Sequence, residues 1–420
     1  MSESSSTSAS APPCLPLLNC LKLLPLAMRQ ASPVATRIPP PSGDHSDPRL
    51  SLLHSRAMLQ EAAAAGATTA TPRKRQRIPI ASTDDYEEIR RLGAGGFGVV
   101  TKARHRATGE AVAIKRLRSR DGRNGELLRE AHFLDACCKA GQPFLVGYRG
   151  LARDRATGDL CLVMEYVGPS LQDYLRERRR RRSPPLPEAT VRAAMWQLLT
   201  AAQSMHDRRV VHRDIKPANI LVGDGRRTVK ICDLGLAVSM AEPPPYSQAG
   251  TLPYMAPEVL RGETDYDELV DAWSLGCVMA ELVAGKPLFE GNDDEVLQLW
   301  AIFDMLDVPP DGSTSSGFAS TPLAAEMLAT LQAQRRNRLR ELFPEKTLSK
   351  EGFEVLSGLL EYNTDKRLRA ADALSLPWFS KVDALALPGD EEVAIAPLPL
   401  CKKKRVRLIA PPLPKRLKIC

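Results

Sequence analysis

Two short stretches restrict this chain more than any other feature: Val211-His212-Arg213-Asp214-Ile215-Lys216-Pro217-Ala218-Asn219, and Asp233-Leu234-Gly235 fourteen residues after Asn219. Each sets a carboxylate in a polar loop beside an apolar run, the second just after the strand-like Val229–Cys232. A carboxylate, a lysine two residues on and an amide five residues on can converge on one phosphate. Asp214 can orient a hydroxyl and accept its proton, Lys216 can neutralise a phosphoryl group in flight, and Asn219 can ligate a metal. Asp233 can hold a second position on that metal, and Gly235 lets the backbone turn. Taken singly, these are a polar loop and an ordinary D-x-G turn. Taken in this order, they require a fold that brings separate loops to one cleft.

Further parts lie upstream. Gly93-Ala94-Gly95-Gly96-Phe97-Gly98-Val99-Val100 reads as strand, turn, strand. Its glycines let the chain fold tightly and offer N–H groups to phosphate oxygens. Alone, a G-x-G-x-x-G also fits a dinucleotide fingerprint or a plain hairpin. Val99 and Val100 continue as strand, which disfavours the dinucleotide fold. Seventeen residues past Gly98, Lys115 ends the apolar strand Ala111-Val112-Ala113-Ile114. A lysine there is costly to bury unless a carboxylate pairs with it. Glu130 in Leu127-Leu128-Arg129-Glu130-Ala131 and Glu126, one turn earlier and on a similar face, are the candidate partners.

Downstream, Ala256-Pro257-Glu258 closes the stretch that begins at Asp233, Asp271 lies in Asp271-Ala272-Trp273-Ser274-Leu275-Gly276, and Arg367 follows late in the chain. Strand-like segments at Ile89–Leu92, Val99–Ala103, Ala111–Leu117, Leu145–Leu151 and Leu160–Tyr166 surround one helical pattern through Leu127, Leu128, Ala131 and Leu134. Beyond Ser170 the pattern is helical, with apolar spacing in Val191–Met205, Ala272–Val283 and Glu295–Met305. This predicts an α+β fold of two lobes: a small β-rich lobe with one main helix (86–166), a hinge at 166–170 and a larger helical lobe (171–379).

The 420-residue chain carries a net charge of +8, but eight basic side chains fall in the last twenty residues with no acid among them. Residues 1–400 are formally neutral, so the charge belongs to a tail and implies no nucleic-acid surface across the fold. Nine scattered cysteines with no C-x-x-C pair fit neither a disulfide framework nor a zinc site, and point to a reduced, intracellular protein. No apolar run is long enough to span a membrane. Residues 1–84, rich in Ser, Pro and Ala, read as a disordered arm, and 380–420 as a basic disordered tail. The Arg178–Arg182 run reads as a loop after a helix, solvated or docking an acidic partner.

Together these motifs resemble the eukaryotic protein kinase domain over residues 86–379. Lys216 and Thr251 are similar to the serine/threonine kinases. Gly285–Asn292, Gln298-Leu299-Trp300, Phe303 and the insert 308–343 resemble the cyclin-dependent and mitogen-activated kinase group, nearest to the plant cyclin-dependent-kinase F-like set. The resemblance implies ATP and Mg²⁺ as cofactors. It implies Asp214, Lys216, Lys115 and Glu130 as the catalytic set, and Asn219 and Asp233 as metal ligands. The ATP site it implies comprises Leu92, Gly93, Ala94, Gly95, Gly96, Phe97, Gly98, Val99, Val100, Ala113, Lys115, Glu165, Val167 and Leu221, with Met164 as gatekeeper. Asp271 is expected to cap the catalytic loop, and Glu258 with Arg367 to form a buried ion pair. Thr251 is expected to hydrogen-bond near Asp214.

Several positions depart from the group. The helix reads Asn124-Gly125-Glu126-Leu127-Leu128-Arg129-Glu130 and keeps little of the cyclin-contacting pattern beyond Arg129-Glu130, which argues against a cyclin partner. Gly96-Phe97 replaces the inhibitory Thr-Tyr pair, Met255 replaces an arginine, and Leu234 replaces the usual Phe. Gly250 can still form a proline pocket. Arg213 could be drawn to a phosphate on Tyr246, Ser247 or Ser239, placed by an upstream activating kinase; activation without phosphate stays open. Expected partners are protein substrates, with RNA polymerase II C-terminal repeats as candidates, and a nuclear import receptor reading Cys401–Arg407 and Pro414–Lys418, helped by Thr71–Arg77. The expected location is nucleus and cytoplasm, nucleus favoured, with organellar import through the Ser-rich arm as a minor alternative. The rival classes are a pseudokinase scaffold and a nucleic-acid binder acting through its tail; the tail lacks aromatic residues for base stacking.

Overall fold

The computed structural model describes residues 80–95, 98–117, 124–289, 294–306 and 337–388. The first lobe is a six-stranded sheet formed by β1 (Ala81–Ser82), β2 (Tyr86–Gly95), β3 (Gly98–His105), β4 (Ala111–Arg116), β5 (Tyr148–Arg153) and β6 (Leu160–Glu165) in the order β1-β5-β6-β4-β3-β2. All pairings are antiparallel except β1 with β5. In the interior of the sheet, β6 is buried from Leu160 to Met164, whereas β3 alternates around buried Thr101 and Ala103.

Helix α1 (Asn124–Lys139) buries Leu127, Glu130, Ala131, Leu134 and Cys137 along one stripe, the spacing of a helix laid on a surface. One charged residue on that stripe, Glu130, is therefore aimed at the sheet.

The second lobe contains α2 (Leu171–Arg180), α3 (Glu188–His206), α4 (Pro257–Leu260), α5 (Leu269–Ala284), α6 (Glu295–Leu306), α7 (Leu339–Leu342), α8 (Lys350–Leu359) and α9 (Ala370–Ser375). Two small two-stranded sheets belong to this lobe: β8 (Ile220–Gly223) with β9 (Thr228–Ile231), and β7 (Val210–Val211) with β10 (Val238–Ser239). Helix α5 is buried on all sides from Leu269 to Val283, so it is the axis around which the lobe packs. Ser170 and Ser349 cap α2 and α8 through their hydroxyls. Among the described residues no helix is long and apolar enough to cross a membrane.

Several expectations need correction. The strand expected at Leu145–Leu151 begins only at Tyr148, because Leu145 and Val146 bridge to Ile231 of β9 and tie the two lobes together. The arm does not extend to 84: β1 adds to the sheet edge, and Ser82 and Asp85 form a reciprocal capping box around Thr83–Asp85. The tail does not begin at 380 either. Leu385 and Leu387 are buried, and the Pro388 carbonyl accepts from Tyr174 Oη and Arg226 Nη1. Arg178–Arg180 lie inside α2, where Glu177 pairs with Arg180 and Arg181; those i,i+3 and i,i+4 contacts let the helix absorb the charges. The arm up to 79, the residues Gly96 and Phe97, and the basic tail segments lie outside the described residues, as do most of the 308–343 insert and Glu290–Asn292.

Candidate active site

Lys115 is the penultimate residue of β4, paired across the sheet with Leu162, and its side chain runs inward. Its Nζ lies 2.8 Å from Oε1 and from Oε2 of Glu130, and 2.6 Å from Oδ1 of Asp233. Glu130 is thus the partner, and Glu126 is exposed at the start of the helix. Burial would lower the Lys115 pKa, but the Glu130 and Asp233 charges outweigh it and hold it above the ordinary lysine range. Two carboxylates share one ammonium. Burial pushes Glu130 up further than Lys115 draws it down, whereas at Asp233 the Lys115 charge and hydrogen bond overcome burial and leave the carboxyl below its usual range. A Cβ at Gly235 would stand 3.2 Å from Asp233 Oδ1, 3.4 Å from Lys115 Nζ and 3.7 Å from Glu130 Oε2. The glycine leaves the three charges room to meet.

The catalytic loop hangs from α5. Asp271, fully buried, accepts from the backbone N–H groups of His212 and Arg213 at 2.8 Å each, and its Oδ2 lies 3.0 Å from His206 Nε2. Burial would raise its pKa, but these hydrogen bonds and the histidines hold it below the ordinary carboxylate range. They also fix Arg213 at a φ of +68°, a conformation costly for a non-glycine residue.

The next residue, Asp214, is gripped from three sides. Lys216 Nζ donates to its Oδ2 at 2.8 Å, Asn219 Nδ2 donates to Oδ2 at 3.0 Å, and Thr251 Oγ1 donates to Oδ1 at 2.7 Å. Lys216 Nζ also donates to Thr251 Oγ1 at 2.7 Å, closing a ring that joins the loop to the segment before Ala256-Pro257-Glu258.

That segment folds back over the lobe. Arg213 Nε donates to the Leu236 carbonyl at 2.7 Å, and its Nη1 donates to the Ser247 carbonyl and to Tyr266 Oη at 2.9 Å each. Tyr246 is buried, with its hydroxyl donating to the Glu242 carbonyl; Ser247 is exposed, and Ser239 Oγ accepts from the Ala241 N–H. Tyr246 is the one of the three expected acceptors whose hydroxyl is withdrawn from solvent. Glu258 and Arg367 meet in a buried two-pronged pair at 2.6 and 3.0 Å.

The remaining expected ATP contacts run from the β2 edge of the sheet to the hinge. Leu92, Gly93, Ala94 and Gly95 lie on β2, and Gly98, Val99 and Val100 lie opposite on β3. Ala113 on β4 pairs with Met164 on β6. Glu165 ends β6, Val167 follows in the hinge, and Leu221 on β8 bridges Ser170. Gly96 and Phe97 lie outside the described residues.

The donor set fits a nucleotide with Mg²⁺. With Nδ2 of Asn219 committed to Asp214, its side-chain oxygen is the atom that would be left for a metal, with the carboxylate of Asp233 as the other oxygen donor. Among the described residues no cluster of three or more His, Cys, Asp or Glu could hold a metal. Magnesium suits such a place, since it takes one or two protein ligands and completes its shell with phosphate oxygens and water.

Two functional contacts were not foreseen in the sequence. Tyr266 partners Arg213, and Lys230 pairs with Glu165 at 2.8 Å, locking the end of β6 onto β9. Neither residue stands in a motif; only strand register could have suggested the second, because Lys230 pairs with Leu221.

Comparison with known proteins agrees with this geometry. Residues 86–379 match the family described as protein kinase domain. A protein of Oryza sativa subsp. japonica provisionally named cyclin-dependent kinase F-2 is 49% identical over 306 residues, covering 71% of this chain and 90% of its own. Cyclin-dependent kinase G-2 of Oryza sativa subsp. indica is 35% identical over 309 residues, or 72% of this chain, which spans only 42% of that longer protein. Cell division control protein 2 homolog 3 of Trypanosoma brucei brucei is 38% identical over 303 residues, 71% of this chain and 92% of its own. A family match across both lobes and half-identity to a relative of nearly equal span, laid over the Lys115, Asp214 and Asp233 geometry, leave one conclusion: this chain belongs to the protein kinase family, as a serine/threonine kinase of the cyclin-dependent-kinase-like group.

Proposed function

We propose that the chain transfers the γ-phosphoryl group of ATP, with Mg²⁺, to serine or threonine hydroxyls of nuclear proteins. The observation that carries this reading is the grip on Asp214: Lys216, Asn219 and Thr251 hold both carboxylate oxygens while Lys115 stands between Glu130 and Asp233. Asp214 orients the acceptor hydroxyl and takes its proton as the new O–P bond forms and the bond to the departing ADP breaks. Lys216 sits beside that carboxylate and balances charge on the phosphoryl group in transit. Lys115 steadies the nucleotide phosphates, and Asp233 with Asn219 would hold Mg²⁺, which supplies neutralisation of the phosphate charge. No covalent enzyme intermediate is needed, since positioning and electrostatics supply the rate.

The Lys115–Glu130 contact is complete within the single chain, and the Asn124–Glu130 segment keeps little of a cyclin-contacting pattern. Both support activity without an obligatory cyclin. The basic Cys401–Arg407 and Pro414–Lys418 segments support nuclear import, and likeness to the group makes RNA polymerase II C-terminal repeats candidate substrates. The test is transfer from labelled ATP–Mg²⁺ to a repeat-derived peptide and to an array of Ser/Thr peptides. Asp214→Asn should lower kcat by about 100- to 10,000-fold while nucleotide binding, followed by fluorescence titration, persists. Undiminished turnover in that variant would overturn the assignment of Asp214. A fluorescent fusion lacking 401–420 should leave the nucleus; an unchanged location removes the import reading.

A further inference from the structure

The Arg178–Arg182 run takes no part in the site described above, yet two of its members share a cavity with a third arginine beside the hinge. The cavity has a volume of about 480 Å³, the size of a ligand pocket. Val167, Gly168 and Pro169 of the hinge line it, as do Arg178 and Arg181 at the end of α2 and Arg226 in the turn between β8 and β9. Two carboxylates, Asp173 and Glu177, line it as well. Each is paired along the helix, Asp173 with Arg176 and Glu177 with Arg180 and Arg181. The wall is therefore cationic, and its charges come from two separate elements of the lobe.

The chain's own C-terminal stretch runs into this cavity. Leu385 and Leu387 are buried, and Pro388 forms part of the cavity wall. The Leu387 N–H donates to the Arg226 carbonyl at 3.1 Å. The Pro388 carbonyl accepts from Arg226 Nη1 at 3.0 Å and from Tyr174 Oη at 3.2 Å. Arg178 and Arg226 both lie over the Tyr174 ring, 5.7 and 5.8 Å from its centroid. Arg226 stands at a φ of +69°, a costly backbone for a non-glycine residue, and it holds Leu387 and Pro388 with backbone and side chain at once. Directly after this grip the sequence reads Gly389-Asp390-Glu391-Glu392. A chain advances at most about 3.5 Å per residue, so Asp390 can be no more than about 7 Å from Pro388, and Glu392 no more than about 14 Å. Three consecutive acids are thus delivered to a cavity walled by arginines.

We propose that the acidic run Asp390-Glu391-Glu392 seats against Arg178, Arg181 and Arg226 and clips the C-terminal tail beside the hinge. Carboxylate and guanidinium groups make charge-assisted hydrogen bonds, and the Pro388 anchor keeps the acids at a high effective concentration over the cavity. The Arg178–Arg182 run then serves as the dock for this chain's own tail and is withheld from acidic segments of other proteins. The basic segments from Lys402 onward leave the fold from this fixed point. The inference does not depend on phosphoryl transfer, and its readout is not activity.

Hydrogen exchange of the Leu387 amide in full-length protein, followed by mass spectrometry, reports how firmly the anchor is held. Asp390→Asn, Glu391→Gln and Glu392→Gln together should speed it about tenfold, the combined effect of two or three partly exposed ion pairs. Arg178→Ala with Arg181→Ala should speed it by a similar factor. Both sets in one chain should exchange no faster than either alone, because they remove the same contact. Amides of the buried helix α5 should keep the parent rate throughout; if the arginine variant loosens them, the tail variant alone decides. A fluorescent peptide of alternating Asp and Glu should bind the tail variant and not the parent. Four results overturn the inference. They are a parent exchange rate in the tail variant, effects of the two sets that multiply, and protection in the parent that is lost on dilution, which would make a second copy the partner. The fourth is equal peptide binding by parent and tail variant, which would make the cavity a dock for an acidic segment of another protein.

Discussion

Removing one charge from the Glu258–Arg367 pair should cost more than any other single change of a charged residue away from the cleft. Both side chains are sealed from water, Arg367 at 0% and Glu258 at 3% exposure. Besides the two contacts to Glu258, Arg367 donates to the carbonyls of Leu269, Glu361 and Tyr362 and lies over the Trp273 ring at 5.2 Å. One guanidinium thus fastens α4, the start of α5 and the turn after α8. For unit charges about 4 Å apart at an effective dielectric near 20, the attraction is about 4 kcal/mol. The cost of breaking a buried pair by removing one partner is about 3–5 kcal/mol. Glu258→Gln keeps the shape and leaves the cation buried among carbonyls, so it should fall within that range. For a domain of this size that is a drop of roughly 6–15 °C in melting temperature. Glu258→Leu with Arg367→Met removes both charges and should recover at least about half the loss, since apolar replacement of a buried pair is often neutral. Urea unfolding of the four proteins gives the double-mutant cycle. A Glu258→Gln cost below about 1 kcal/mol, or a double variant as unstable as the sum of the singles, would refute the claim that each buried charge depends on the other.

Three further outcomes follow from the site. Gly235→Ala should raise KM for ATP about tenfold with little change in melting temperature, because its methyl crowds Asp233 and Lys115 without touching the core; unaltered nucleotide kinetics would contradict this. Thr251→Ala removes a donor to Asp214 and an acceptor for Lys216, so kcat should fall about 10- to 100-fold with KM for ATP almost constant. Asp271 has its carboxyl held below the ordinary range, so its stabilisation is fully present above about pH 4 and is lost as pH falls through the depressed folded value. Asp271→Asn should therefore be much less stable than the parent at pH 7, with the gap narrowing in acid; a gap that stays constant in urea titrations down to pH 3 would disprove the assignment.

The residues that converge on the cleft could be read in the sequence because each part lies in a short linear run: Lys115 stands near the end of one strand, Glu130 sits on the buried stripe of one helix, and Asp214 to Asn219 spans a single loop. In such runs local geometry settles which side chains share a face. The hinge and the helical lobe followed from apolar periodicity for the same reason. What escaped depends on pairings between distant segments. Nothing in Leu145–Leu151 says that its first two residues belong to Ile231 rather than to the sheet. Nothing in Arg178–Arg182 says that Glu177 will let the helix run on.

The same contrast holds at Arg213, for which the sequence alone leaves alignment with and without a phosphate both open. Its neighbours in sequence offer no alternative partner, and the partner it has, Tyr266, lies beyond the Ala256-Pro257-Glu258 motif in a stretch with no periodicity of its own. The burial cost of a guanidinium is met only when carbonyls and hydroxyls arrive from elsewhere in the fold. Leu236, Ser247 and Tyr266 supply them here.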